Sequence, residues 1–280
     1  MTHRDPKLKP LSIGIGATER LSLRVSVATL VRVLFEHPQN SELMLALERK
    51  ATLLGNQDGH FVKLKAQPFG GAIQIHDLNA LQDFIGDFHF DSEQSRSEQD
   101  FRIFIRPAAW QVVRQFCLQH FSQANNTVLE SDPGRELVEE FSDALEMDLR
   151  AEQFAYRPLG IVIENDPSPT ENLCARGCPT VRIYRIFESR LVEAALIHAM
   201  LMNSESQSNE RVRELALDDA RKGGKGWANA ILTLPLKQIS ALYSATPLEA
   251  RNRPISFQGH QLDETVAALI DGIDIPKYQK

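Results

Sequence analysis

Residues 134–143 read GRELVEEFSD, and the way Glu136, Glu139 and Glu140 are interpreted decides how the chain folds and acts. On a helix turning by about 100° per residue the three fall within an arc of about 100°, while Leu137, Phe141, Ala144 and Leu145 line another face roughly 130° away. One face anchors the helix and the other presents carboxylates. Like charges at i,i+4, such as Glu136 and Glu140, repel by only about 0.2–0.5 kcal/mol when exposed, so a plain solvated face satisfies the same spacing. Two neighbours favour a gathered cluster. Glu136 lies in the first turn, where the positive end of the helix dipole favours a carboxylate, and Arg135 stands four residues before Glu139, within reach to hold its rotamer. The helix start is marked by SDPG at 131–134, where Ser131 or Asp132 can cap free amides and Pro133 or its neighbour opens the first turn. A hard cation such as Mg²⁺ takes oxygen ligands, commonly a few carboxylates together with substrate phosphates, and three glutamates on one helical face suit it.

Upstream, Leu21, Leu23, Val25 and Val27 alternate with polar partners, the period of a half-buried strand. Further strands are predicted at 31–35, 42–48 and 61–64, separated by the turn-forming HPQN and GNQDG. They lead into PFGGAIQIHD at 68–77. DFHF and FRIFI then flank the polar DSEQSRSEQD, which predicts a hairpin with a floppy tip. PAAWQVVRQFCLQHF places Trp110, Val113, Cys117 and Phe121 at helical spacing behind a proline. Strands are expected at 156–164 and 181–187, and helices at 191–202, 211–222 and 262–270. ILTLPLKQISALY follows the GGKGW segment.

Two stretches together resemble a known family. Arg135 through Glu140, RELVEE, matches the heart of the Nudix box, and PFGGA at 68–72 looks like that family's glycine turn, with Asp77 standing where its pattern expects a glutamate. The chain departs from the pattern in three ways. Leu78 through Gly134 intervene where the family has a short spacer, Ser142 replaces the glycine that follows the paired acids, and Asp143 occupies the next aliphatic position. A loop-to-helix junction absorbs an insertion while the strand before it and the helix after it stay packed.

The resemblance implies an α/β fold, a Nudix-like α/β/α sandwich with a mixed sheet. Its expected organisation is a tail at 1–20, a domain at 21–250 with an insertion at about 78–128, and a helical extension at 251–280. It also implies Mg²⁺, or Mn²⁺ in its place, held by Glu136, Glu139, Glu140 and the Gly71 carbonyl, with Arg135 orienting the acids. Arg135, Glu136, Glu139 and Glu140 form the expected catalytic set, and Phe69, Gly70, Gly71 and Trp227 the expected substrate contacts. The implied reaction is hydrolysis of a phosphoanhydride in an NTP, a dNTP or a nucleoside diphosphate derivative such as ADP-ribose, releasing a nucleoside monophosphate. The split box keeps a second reading open, a Nudix-fold nucleotide sensor without turnover, and a third in which 78–128 is a partner-docking arm. That insertion suits a homodimer surface or a lid equally well. A general base is expected among the same glutamates or within 205–214.

Trp227 in GGKGW suits either stacking on a base, with Lys225 or Arg221 meeting phosphate, or a place in the core. Phe69 carries the same ambiguity. Across 280 residues 42% are hydrophobic, as in ordinary globular proteins, and the formal charge of −6 disfavours general binding to nucleic acid or anionic membranes. Three cysteines are too few for a disulfide framework, and CARGC at 174–178 has no second pair to complete a zinc site. No histidine pair has metalloprotease spacing. No apolar leader or membrane-spanning run is present in the sequence, and a cytoplasmic location is expected.

Overall fold

The computed structural model describes residues 21–56, 59–123, 126–130, 132–170, 172–251 and 253–271. The elements run β1 Leu23–Glu36, β2 Leu43–Asn56, β3 Gly59–Gln67, α1 Leu78–Ile85, β4 His89–Phe90, α2 Glu93–Glu98, β5 Arg102–Ile105, α3 Trp110–Phe121 and α4 Gly134–Leu145. They continue with β6 Tyr156–Pro169, β7 Pro179–Arg190, α5 Ala194–Ser206, α6 Asn209–Arg221, β8 Trp227–Pro235, α7 Leu236–Ala245, α8 Leu248–Arg251, β9 Ile255–Phe257, β10 His260–Leu262 and α9 Val266–Asp271. The described residues divide into two units, the first drawn from 21–28, 72–130 and 163–183 and the second from 29–71, 132–162 and 184–271.

In the first unit the start of β1 pairs antiparallel with β5, Leu23 opposite Ile105, and β5 pairs with β4. The aromatic runs DFHF and FRIFI therefore form the expected hairpin. Its tip is a short helix rather than a floppy loop. Ser92 caps α2 by accepting the Ser95 amide at 3.1 Å, and Gln99 closes it in the left-handed region. Beside it the buried Arg24 guanidinium holds Asp91 at 2.6 Å. Asp77 caps α1 through the Ala80 amide at 2.9 Å. Cys117 is buried, and Cys174 and Cys178 are free thiols.

The second unit is α/β with a mixed sheet. β2 runs antiparallel to the end of β1, to β3 and to β8, β10 lies parallel to β3, and β9 closes a hairpin with β10. Residues 255–262, expected to begin a helical extension, thus form two short strands, and the last helix starts at Val266. The β9–β10 turn places Gln258 and Gly259 both at positive φ, the backbone of a tight hairpin loop.

Alternation along the strands separates the two faces of this sheet. Met44, Ala46 and Ile231 pack with Leu137 and Phe141 of α4 and Leu196, Ile197 and Met200 of α5. Ala51 and Ala230 pack with Val212 and Ala216 of α6 on the other face. The unit is therefore a helix–sheet–helix sandwich, and burying Leu137 or Phe141 contributes about 1.5–3 kcal/mol each. Asn203 ties α5 to both neighbours, donating to the Ala144 carbonyl at 2.7 Å and accepting from the Ile231 amide at 2.8 Å. α4 leaves the sandwich through Glu146 in the left-handed region rather than through a glycine, which accommodates Ser142 and Asp143 inside the helix.

Candidate functional site

The glycine turn follows β3 and is laced to β1. Val31 donates its amide to the Phe69 carbonyl at 2.8 Å, and Thr29 donates to the Gly71 carbonyl at 2.9 Å. Gly70 sits at φ +132°, and a Cβ there would run into the Thr29 backbone carbonyl, so only glycine fits. Gly71 has no such φ. A Cβ on Gly71 would meet the carboxylate of Glu136, which lies directly over its Cα.

The acidic helix comes to this turn from the other side of a long insertion. Pro133 is the N-cap of α4 and makes no side-chain cap, while Asp132 before it accepts the first free amide, that of Gly134, at 2.6 Å. Ser131, its alternative, lies outside the described residues. Arg135 bonds Glu136 at 2.6 Å and Glu139 at 3.3 Å, and so orients both acids. Glu136 is turned inward against Gly71, whereas the Glu139 side chain is 58% exposed. Glu140 reaches inward and accepts the Gly70 amide at 2.7 Å. Glycine turn and acidic helix are thereby joined twice, at Gly71 with Glu136 and at Gly70 with Glu140.

Sequence reasoning missed Glu48. This β2 residue is fully buried, accepts from the Gln67 side chain at 2.7 Å, and has the Lys50 ammonium 3.8 Å from its Oε1, an atom with no hydrogen bond. Burial raises its pKa, against the pull of Lys50 and Gln67. The Glu140 carboxyl is enclosed although the residue as a whole is only half-buried. Burial, then the Glu48 charge, push its pKa well above the ordinary carboxylate range, against the Gly70 amide. The two acids thus compete for negative charge in one place. A signal existed in the sequence. In LMLALERK, Glu48 falls in phase with Met44 and Ala46, and a carboxylate in the buried phase of an apolar strand is rare without a partner or a function.

The other expected residues distribute differently. Phe69 is fully buried with its ring stacked on Phe141 at 4.3 Å, so its side chain braces the turn against α4 instead of presenting a face to a ligand. Trp227, at the start of β8, is 41% exposed, with Lys225 4.7 Å and Lys50 5.4 Å from its ring centre. Asp219 fixes the approach to it by accepting the amides of Gly226 at 2.8 Å and Trp227 at 3.3 Å. Arg221 pairs with Asp218 at 2.8 Å on α6, and Glu210 and Glu214 also lie on α6, the helix that packs on the face away from α4. These glutamates stand apart from the glycine turn.

A divalent cation matches this donor set in type. The carboxylates of Glu136 and Glu140 bracket the turn, a second lone pair remains on the Gly71 carbonyl, and the charge excess at Glu48 and Glu140 is the kind a cation relieves. Among the described residues, however, no three His, Cys, Asp or Glu side chains stand in a metal-holding group, because Glu136 and Glu139 are drawn to Arg135 and Glu140 to Gly70. No helix among the described residues is long and apolar enough to cross a membrane.

No protein-family model matches the chain, and no curated protein matches its sequence. A solved structure described as a mutT/nudix family protein from Listeria innocua aligns at 14% identity over 90% of each chain, with a TM-score of 0.31. So loose an overlay carries no weight, and fold and site rest on the residues above.

Proposed function

We propose that the chain is a Nudix-type pyrophosphohydrolase that cleaves a phosphoanhydride bond of an NTP, a dNTP or a nucleoside diphosphate derivative and releases a nucleoside monophosphate. The observation that carries this reading is the double junction of glycine turn and acidic helix, Glu136 over Gly71 and Glu140 on the Gly70 amide, across the insertion that splits the motif. Glu136, Glu139, Glu140 and the Gly71 carbonyl would hold Mg²⁺ or Mn²⁺. Such an ion, when bound, neutralises phosphate charge and stabilises the leaving oxygen.

The chain's own groups supply the rest. Arg135 sets the rotamers of Glu136 and Glu139. Glu48, whose proton affinity is raised by burial, takes the proton of the water that attacks phosphorus; the bond from phosphorus to the bridging oxygen breaks as the new P–O bond forms. Trp227 offers an exposed ring to the base, and Lys225 beside it meets phosphate. The test is incubation of the purified chain with Mg²⁺ and a nucleotide panel that includes ADP-ribose. Monophosphate is expected from at least one member, and its absence from all overturns the reading.

One observation favours a second reading, a nucleotide sensor without turnover: the carboxylates are not drawn into a single metal-holding group. Replacing Glu139 and Glu140 by Gln separates the two. The enzyme loses rate and keeps its fold, whereas a metal-independent sensor keeps its ligand-induced thermal stabilisation unchanged.

A further inference from the structure

On the face of the sheet opposite the acidic helix, a cavity of about 150 Å³ opens between β2, β3, the start of α6 and the β9–β10 hairpin. Its lining includes Arg49, Asn209, Arg213 and His260, over a floor of Leu64 and Ala66. Arg49 is 2% exposed and, among the described residues, no carboxylate pairs with it. Its bonds are neutral ones, to the Asn209 side chain at 3.4 Å and the Ile231 carbonyl at 3.1 Å, and its Nε has no acceptor. A guanidinium stays protonated in a protein, so a cation out of water without an anion is unfavourable as it stands.

The remaining groups point to the same kind of partner. Asn209 and Arg213 lie four residues apart on one face of α6, at the helix's positive end. Arg213 is well exposed and, among the described residues, meets Glu210 at 4.0 Å. His260 begins β10, and its Nδ1 also has no partner. Burial, then Arg49, lower its pKa, and an imidazole carries an N–H to donate in either of its protonation states. The Lys65 ammonium is already held by Asp263. Two guanidinium groups and an imidazole around a space larger than one water needs form a built recess for a small oxyanion.

We propose that this recess is a binding site for a phosphate group, separate from the acidic site, with Arg49 and Arg213 as its charged partners and His260 as a further donor. It lies one residue along β2 from Glu48, whose side chain faces the other way. A tetrahedral oxyanion accepts from several directions at once, which matches donors arriving from β2, α6 and β10 better than a flat carboxylate does.

The proposal stands apart from the hydrolase reading and is tested without metal. The full chain in EDTA is titrated with inorganic phosphate, sulfate, acetate or chloride at matched ionic strength, followed by thermal shift and calorimetry. Phosphate is expected to raise the melting temperature saturably, with acetate and chloride inert. Arg213→Ala and His260→Gln, each checked for an unchanged fold by circular dichroism, are each expected to weaken phosphate binding about tenfold. Equal stabilisation by chloride or acetate would overturn the proposal, as would phosphate binding that neither variant weakens. Binding weakened by Glu140→Gln and untouched by Arg213→Ala would place phosphate at the acidic site and overturn it too.

Discussion

Replacing Gly71 by Ala separates the chemistry of the site from its folding. The added Cβ would occupy the space of the Glu136 carboxylate, the far end of a flexible side chain that swings aside at little cost. Gly71 has a backbone conformation other residues adopt, so the loss of unfolded-state entropy favours the variant by about 0.4–1 kcal/mol. The two effects nearly cancel, and stability is expected to change by less than about 1 kcal/mol. The rate is not protected in this way. Displacing one preorganised charged group from a site of this kind costs about 10²–10³ in kcat. Gly70→Ala is the contrasting control. At φ +132° and against the Thr29 carbonyl it strains the backbone itself, which costs about 1–3 kcal/mol. Urea denaturation measures both stabilities, and monophosphate release measures the rate. Full activity in Gly71→Ala would refute the seat assigned to Glu136, and an unfolded Gly71→Ala would refute the claim that Glu136 yields cheaply.

Three further outcomes follow from the same geometry. The raised pKa of Glu48 and Glu140 means that, in the metal-free protein, the contribution of these two acids to stability is fullest below the unfolded carboxylate value of about 4.3 and is lost as pH rises through the folded values. Glu48→Gln should flatten this dependence in thermal melts and lower kcat by about 10²–10⁴, whereas an unchanged pH profile would show that the two acids do not interact. For Asp263, burial raises the pKa but the Lys65 ammonium and the Thr265 hydrogen bonds outweigh it and leave the group lowered, while Lys65 is raised by Asp263 against its own burial. Their pair therefore stabilises between the two titrations, is lost as pH falls through the Asp263 value or rises through that of Lys65, and Asp263→Asn should cost about 2 kcal/mol in urea melts at neutral pH. Trp227→Ala should raise KM about tenfold with kcat and stability little changed, as expected for an exposed stacking ring, and an unaltered KM would remove Trp227 from the binding site.

The legible parts of the sequence were those governed by short-range rules. Alternation marked the start of β1, the Asp-Pro-Gly stretch marked the start of α4, and the spacing of Leu137 and Phe141 identified its buried face. The tip helix α2 was missed because its polar composition hid a serine cap, a glutamate in its first turn and a left-handed closing residue. The β9–β10 hairpin was missed because each strand is only three residues long and one of them depends on pairing with β3, far away in sequence. Phe69 was ambiguous for a similar reason, since only the arrival of Phe141 buries it. Glu48 was invisible to motif reasoning because Gln67, which donates to it, and Glu140, whose carboxyl it repels, come from a neighbouring strand and a helix beyond the insertion.

The seat of a divalent ion between glycine turn and acidic helix is open to direct measurement by Mn²⁺ titration followed by electron paramagnetic resonance, independent of any substrate. The wild-type chain is expected to take up Mn²⁺ saturably, with competition by Mg²⁺, and Glu140→Gln to lose that uptake while retaining its fold by circular dichroism. A wild-type chain that leaves Mn²⁺ free in solution, or a Glu140→Gln chain that binds it equally well, would contradict the assignment.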